Sequence, residues 1–450
     1  MTTVTSPRYW GVRHRSWRLS EEGRAGLFSL GWAGFAQLTG LTVRLVSNVW
    51  LARILSPNAY GILGSALAVL TTLEWLSDLG IQPALVRHPN GSKPSYLMTG
   101  WWMGLIRGLA LAAVAAALAI PYSEFARLPQ LAGILAVLAI RPALMALRSP
   151  GMPALRKALN YRALCFEEIT MTAVGTVVSI ALAITTRSIW SIVAGTLAGA
   201  AAAVIVSYLL CPQRPRAVWD REAAREIGHL GRQVLVNTLL MAFWINMDRL
   251  VGVRYVSLEQ MGLYAVAWNL ASVLEGLVTR ACDIHFSMLA RKADALTQTS
   301  WHRKVCHQFA STALPVGATA VVLSPLAIRS LYDARYSAAG PLFAILIARL
   351  MIRALGQVQF QYLLVRAEVH LATRAYGVAL VVQILLFVLL VPGFGIYGLA
   401  LSSLGSTASL TLVQTWLLSR RTGWGLGGYA ATLVGMTAGL TVIAVTTHNP

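Results

Sequence analysis

LARILSPNAYGILGSALAVLTTLEWLSDLGIQPALVR, residues 51–87, has a counterpart 201 positions later, beginning GVRYVSLEQMGLYAVAWNLASVLE at Gly252. With no gap, Arg53 falls on Arg254, Ser56 on Ser257, Gly61 on Gly262, Ala66 on Ala267, Thr71 on Ser272, Leu73 on Leu274 and Glu74 on Glu275. Each copy reads as a polar turn, a glycine, and an apolar run carrying a hydroxyl and a glutamate three residues apart. Residues at i and i+3 share a helix face, so both copies place the same polar pair on one side of a membrane-length helix. Acidic residues inside such runs are rare, which makes the Glu74/Glu275 match the informative one. A repeat of this length predicts two similar helical bundles, a build common in secondary transporters.

Composition fixes the class. Hydrophobic residues make up 56% of the 450 and charged residues 12%, and the mean hydropathy is +0.63. Apolar runs of roughly 18–25 residues, long enough to cross about 30 Å of hydrocarbon, recur along the whole length. The chain reads as an all-α polytopic membrane protein without a separate soluble domain. Its formal net charge of +20 lies mostly in short loops, where it sets topology, and nucleic acid is not expected as a partner. Cys165, Cys211, Cys282 and Cys306 lack paired metal spacing; neither a disulfide nor a metal site is expected, and no cofactor.

The expected spans are 26–49, 59–79, 95–119, 130–147, 163–185, 189–210, 233–252, 260–282, 305–328, 340–364, 375–391, 396–418 and 429–447. Of the 37 Lys and Arg residues, alternation puts 24 with the amino terminus, six on the far side and seven within spans. By the positive-inside rule the arginine-rich side is cytoplasmic. The expected organisation is a basic amino terminus (1–25), a six-helix bundle (26–210), a cytoplasmic linker (211–232), a second six-helix bundle (233–418) and an additional helix (419–450). In all, 12–14 transmembrane helices surround a central cavity. The segments 148–162 and 283–304 are expected to form short interfacial helices, and the histidines beside them to be solvated or to face headgroups.

Charges within the spans carry the functional reading, because a charge at mid-bilayer costs about 2.5–3.5 kcal/mol unless it meets water or a partner. Arg349, Arg353, Gln357 and Gln361 follow at steps of four and form one polar ridge along the tenth span. Arg44, with Gln37 and Asn48, repeats the theme in the first. Glu74 and Asp78 in the second span, Asp248 in the seventh and Glu275 in the eighth are candidates for ion coupling or for pairing with the arginines. Arg249 and Arg280, near span ends, can snorkel. An arginine-lined cavity suits an anion, and guanidinium forks hold phosphate oxygens with paired hydrogen bonds, so Arg44, Arg349, Arg353, Gln357 and Gln361 are the candidate substrate-binding residues.

LARILSPNAYGILG, DLGIQPALVR and NMDRLVGVRYVSLEQMGLYAVAWNL resemble the polysaccharide transporters of the multidrug/oligosaccharidyl-lipid/polysaccharide superfamily, particularly Wzx-type O-antigen flippases. The resemblance implies two six-helix bundles in pseudo-twofold relation and alternating access. The cargo it implies is an undecaprenyl-pyrophosphate-linked oligosaccharide moved across the bacterial inner membrane for surface polysaccharide synthesis. Membrane lipids, a polysaccharide polymerase and export proteins are candidate partners. Two other readings remain: a drug/cation antiporter, whose interior would be richer in carboxylates and aromatics, and a membrane glycosyltransferase, polymerase or ligase. Without a Walker loop, a metal cluster or a long far-side loop, enzyme activity is not expected.

Overall fold

Proline and aspartate set where the helices begin. The computed structural model describes residues 39–77, 81–158, 160–290, 294–366 and 368–422. Gln37, Asp78 and the expected final span therefore lie outside the described residues. Helix α1 covers 39–54. Extended Ser56 is followed by proline at the first position of α2, Pro57–Leu76, where a missing N–H costs nothing. After the short α3, Ile81–Arg87, Pro94 opens α4, Pro94–Ala126, in the same way. Then come α5, Pro129–Leu138, α6, Ile140–Ala146, and α7, Met152–Lys157. Helices α8, Tyr161–Thr186, and α9, Trp190–Leu210, complete the first half.

The second half starts at α10, Arg221–Gly252, capped by the Asp220 carboxylate, which accepts from the backbone N–H groups of Glu222 and Ala223 at 3.0 and 3.2 Å. It continues with α11, Leu258–Ala290, α12, Ala295–Leu331, a 3₁₀ turn at Ala334–Tyr336, and α13, Ala339–Val365. The last described helix, α14, Val369–Thr422, is broken at Gly395, whose φ of 53° reverses the chain. The Ser406 hydroxyl donates to the Ala379 carbonyl at 2.8 Å, so the two arms run side by side as two spans. Among the described residues eight helices, α14 counted once, are long and apolar enough to cross a membrane. The protein is a multi-pass, all-helical membrane protein.

Two expectations about loops change. Only 211–220 of the expected linker is non-helical, because α10 begins twelve residues ahead of the drawn span. The 283–304 segment is mainly the end of α11 and the start of α12, not separate interfacial helices. The 148–162 segment does contain one short helix, α7.

The repeat reappears in helix starts: Pro57 and Leu258 are 201 residues apart, as are Pro94 and Ala295. It also sets the contact between halves, because α2 packs against α11 through the repeated glycines. A Cβ on Gly61 would lie 2.4 Å from the Leu258 carbonyl oxygen, and one on Gly262 would lie 1.9 Å from that of Pro57. These two contacts exchange under the 201-residue shift, which is the signature of a twofold relation within one chain. At this arginine-poor end, cross-half hydrogen bonds close the seam. Arg53 Nη2 donates to the Leu331 carbonyl at 3.2 Å, Arg335 Nη2 to that of Arg53 at 3.0 Å, the Tyr336 hydroxyl to that of Leu55 at 3.1 Å, and the Tyr122 hydroxyl to that of Leu250 at 3.0 Å.

Candidate functional site

Among the described helices long and apolar enough to cross a membrane, α13 is the most buried, so its polar ridge faces protein and not lipid. Arg349 is 5% exposed. Its guanidinium lies 4.6 Å from the ring centre of Trp268 on α11 and 5.8 Å from that of Trp244 on α10. Arg353, one turn on, is ion-paired with Glu275 and also sits 5.8 Å from Trp244. The indole of Trp244 is held in place by its N–H, which donates to Ser406 Oγ at 2.6 Å. Desolvated guanidinium–indole contacts are worth about 2 kcal/mol each, and they hold the arginines in place out of water. Gln357 is half-buried, and Gln361 is buried on the same face.

Asp248 and Glu275 supply the opposing charge. Asp248, 1% exposed, accepts from the Tyr264 hydroxyl and from the backbone N–H of Arg249 at 2.9 Å. Both carboxylates act on Arg249 and Arg349. Arg249 does not snorkel: its guanidinium covers Trp268 at 4.4 Å and donates to Asn246 Oδ1 at 2.5 Å. The same Asn246 oxygen accepts from Thr71 of α2 at 3.4 Å, and Asn269 of α11 donates to Asn48 of α1 at 3.4 Å. The cluster therefore touches both halves at their seam. The space left beside Trp268, Glu275, Arg349 and Arg353 is about 10 Å³, no more than one water.

The structure thus brings Arg349, Arg353, Asp248 and Glu275 together. Arg44 instead lies exposed on α1, with Nη2 4.0 Å from the Glu168 carboxylate of α8. Glu74 belongs to a different cluster: it pairs with Arg141 of α6 at 2.5 Å, while Arg107 of α4 donates to the Glu74 carbonyl at 3.0 Å and to Ser77 Oγ at 3.2 Å. This second cluster borders a cavity of about 450 Å³ lined by residues between Glu74 and Arg156, all from the first half. Trp244, Trp268 and Tyr264 escape a sequence reading, because an aromatic in an apolar run reads as core. Arg107 and Arg141 were visible as span arginines, but nothing local ties them to Glu74.

Two histidines also differ from expectation. His285 and His302 are 5% and 1% exposed, with ring nitrogens 3.4 Å apart. They face each other where α11 and α12 extend past their apolar stretches, which removes both rings from solvent and headgroups.

Known proteins share this architecture. A family model described as polysaccharide biosynthesis protein matches residues 50–341. The chain is 22% identical over 253 residues to the succinoglycan biosynthesis transport protein ExoT of Rhizobium meliloti (strain 1021), covering 56% of this chain and 51% of that one. It is 21% identical over 267 residues to an uncharacterized membrane protein in the cps region of Klebsiella pneumoniae, covering 56% and 53%. The chain spans about half the length of these curated relatives. Among solved structures, the lipid II flippase MurJ in an inward closed conformation superposes with a TM-score of 0.71 at 13% identity, covering 94% of each chain. An inward-facing multidrug resistance MATE family transporter of the MOP superfamily gives 0.69 at 13% identity, covering 87% of this chain and 95% of that one. At such identities the likeness is one of fold.

Proposed function

The chain belongs to the polysaccharide biosynthesis protein family, and from that premise we propose that it is a flippase for lipid-linked oligosaccharide. The cargo is an undecaprenyl-pyrophosphate-linked unit, carried from the cytoplasmic to the periplasmic leaflet of a bacterial inner membrane by alternating access of two halves, 26–210 and 233–418. The observation that carries this reading is the arginine ridge of α13, held between indoles at the seam of the halves. A pyrophosphate matches two guanidinium forks, and opening of the seam exchanges indole and carboxylate contacts for phosphate oxygens. Gln357 and Gln361 extend the ridge toward the sugar; Arg44, apart from it on α1 beside Glu168, joins it only in a different conformation of the halves. Moving two negative charges outward gains about 4.6 kcal/mol per 100 mV of inside-negative potential. An antiporter for cations is less well supported, because Glu74 and Glu275 are each engaged by an arginine.

Glycan export by complementation, normalised to protein level, tests the proposal. Arg349→Ala or Arg353→Ala abolishes export while the protein still inserts, and lysine rescues only in part because it lacks the planar fork. Wild-type export by both alanine variants removes the ridge from the mechanism. Orientation is tested separately, in a background without the four native cysteines: Arg214→Cys labels from the cytoplasm and Ser330→Cys from outside.

A further inference from the structure

Arg349 is a buried cation without a hydrogen-bond acceptor among the described residues. Its cluster holds three described arginines, Arg249, Arg349 and Arg353, and two described carboxylates, Asp248 and Glu275, a formal excess of one positive charge. The other members are engaged. Arg353 is ion-paired with Glu275, Arg249 donates to Asn246 Oδ1 at 2.5 Å, and Asp248 accepts from the Tyr264 hydroxyl and the Arg249 backbone N–H. Arg349, 5% exposed, makes no hydrogen bond to a described residue, and its Nε is sealed from solvent without an acceptor. Trp268 and Trp244 lie 4.6 and 5.8 Å from its guanidinium and offer ring faces, which attract a cation but do not cancel its charge. Leaving a buried donor unmet costs about 1–3 kcal/mol, and more when the donor is charged.

We propose that one chloride ion binds between Arg349 and Arg353 in this packed arrangement of the cluster. The space there is bordered by Trp268, Ser272, Glu275, Arg349 and Arg353 and, at about 10 Å³, takes a single particle of about the size of water. Water supplies an acceptor but no charge, and a phosphate or carboxylate group does not fit. A monatomic anion supplies acceptor and charge together. Chloride exceeds water in radius by little enough for two long arginine side chains to absorb. The Glu275 carboxylate alongside is neutralised by Arg353, and both side chains are part-exposed, which leaves an edge for entry. Chloride binding stands on this geometry alone. Its displacement by pyrophosphate when the seam opens rests on the flippase reading, and makes chloride a competitor that holds the unloaded carrier in its packed state.

Calorimetric titration of sodium chloride into the full-length protein in detergent, with sodium gluconate at equal ionic strength as the reference, tests the site without cargo or an export assay. Gluconate is too large to enter. Chloride binds saturably and raises the unfolding temperature, and gluconate does neither. Arg349→Gln weakens chloride binding by about tenfold or more, and Arg303→Gln on the surface of α12 leaves it unchanged. Glu275→Gln removes a carboxylate beside the ion and raises the excess charge from one to two, so it tightens binding, a sign that a merely structural role of the cluster does not give. Where Arg349→Gln does not fold, the Glu275→Gln comparison still decides. The proposal is overturned if no heat or stabilisation is specific to chloride, if Arg349→Gln binds it as the parent does, or if Glu275→Gln binds it more weakly. Loss of the chloride site leaves the export test of Arg349→Ala and Arg353→Ala standing, and wild-type export by those variants leaves chloride binding standing.

Discussion

Glu74 and Glu275 occupy the same place in the two copies of the repeat and are both held by an arginine from the corresponding later helix, yet their surroundings differ. Glu74 and Arg141 look onto about 450 Å³ of open space, whereas Glu275 and Arg353 have about 10 Å³. In the second half, indoles pack on the arginines. Trp244 and Trp268 stand where the repeat has Val43 and Leu67, and both stack on arginines. The arginines themselves are 212 residues apart, not 201, because α12 is longer than α4 and the connection to α13, with its turn Ala334–Tyr336, is longer than that to α5. A duplicated acid thus serves two purposes. In the first half it borders a cavity, and in the second it neutralises a packed cation cluster.

The largest expected effect follows directly. Glu275→Gln leaves Arg249, Arg349 and Arg353 with Asp248 as their main counter-charge; the Glu275–Arg353 pair is half-buried, but Arg349 beside it is buried, and the loss is about 2 kcal/mol, below the scale for a fully buried pair. Glu74→Gln leaves Arg141 beside a cavity that water can enter and costs about 1 kcal/mol. Denaturant unfolding of the purified protein in detergent compares the two. Equal losses would mean that cavity and packing do not distinguish the halves.

The repeated glycines sharpen the symmetry. Gly262→Ala drives a methyl to within 1.9 Å of the Pro57 carbonyl oxygen, and Gly61→Ala to within 2.4 Å of that of Leu258. Both partners are backbone, so α2 and α11 must separate, at about 1–3 kcal/mol each. The loss is slightly greater at Gly262. Because both substitutions act on one seam, the double variant falls short of the sum of the singles, and full additivity would show that the contacts are independent.

Much of this plan was legible beforehand, for reasons specific to each element. The repeat, the Glu74/Glu275 match and the four-step ridge are local patterns, and helical periodicity turns them directly into shared faces. The pairing of Glu275 with Arg353, and of Glu74 with Arg141, joins residues 78 and 67 positions apart in the chain; periodicity says that each charge needs a partner but not which one. The cavity is lined by residues scattered from Glu74 to Arg156, and no local pattern brings them to one wall. His302 read as a loop residue because polar residues surround it, while its helix continues inward of them.

That histidine supports an effect absent at neutral pH and felt only in acid, again by contrast between halves. His88 stacks on Tyr96 at 4.9 Å and meets the Glu226 carboxylate at 3.0 Å. His302 stacks on Tyr362 at 4.4 Å and also meets His285 and Cys306. It lies ahead of the apolar Pro315–Leu331 part of α12. Burial, and to a lesser extent His285, push its pKa down from 6.5 to about 3. Between those values the unfolded chain holds a proton that the folded one refuses, so stability rises with pH across the window and is lost as pH falls below 6.5. One such group gives a slope of up to about 1.4 kcal/mol per pH unit. His302→Phe keeps the stack on Tyr362 and removes the titration. Unfolding at pH 7.5, 6.0 and 5.0 should then show a flatter acid limb in the variant than in the parent, with His285, whose pKa burial also lowers, supplying what remains. Parallel acid limbs would place the origin of the pH dependence elsewhere.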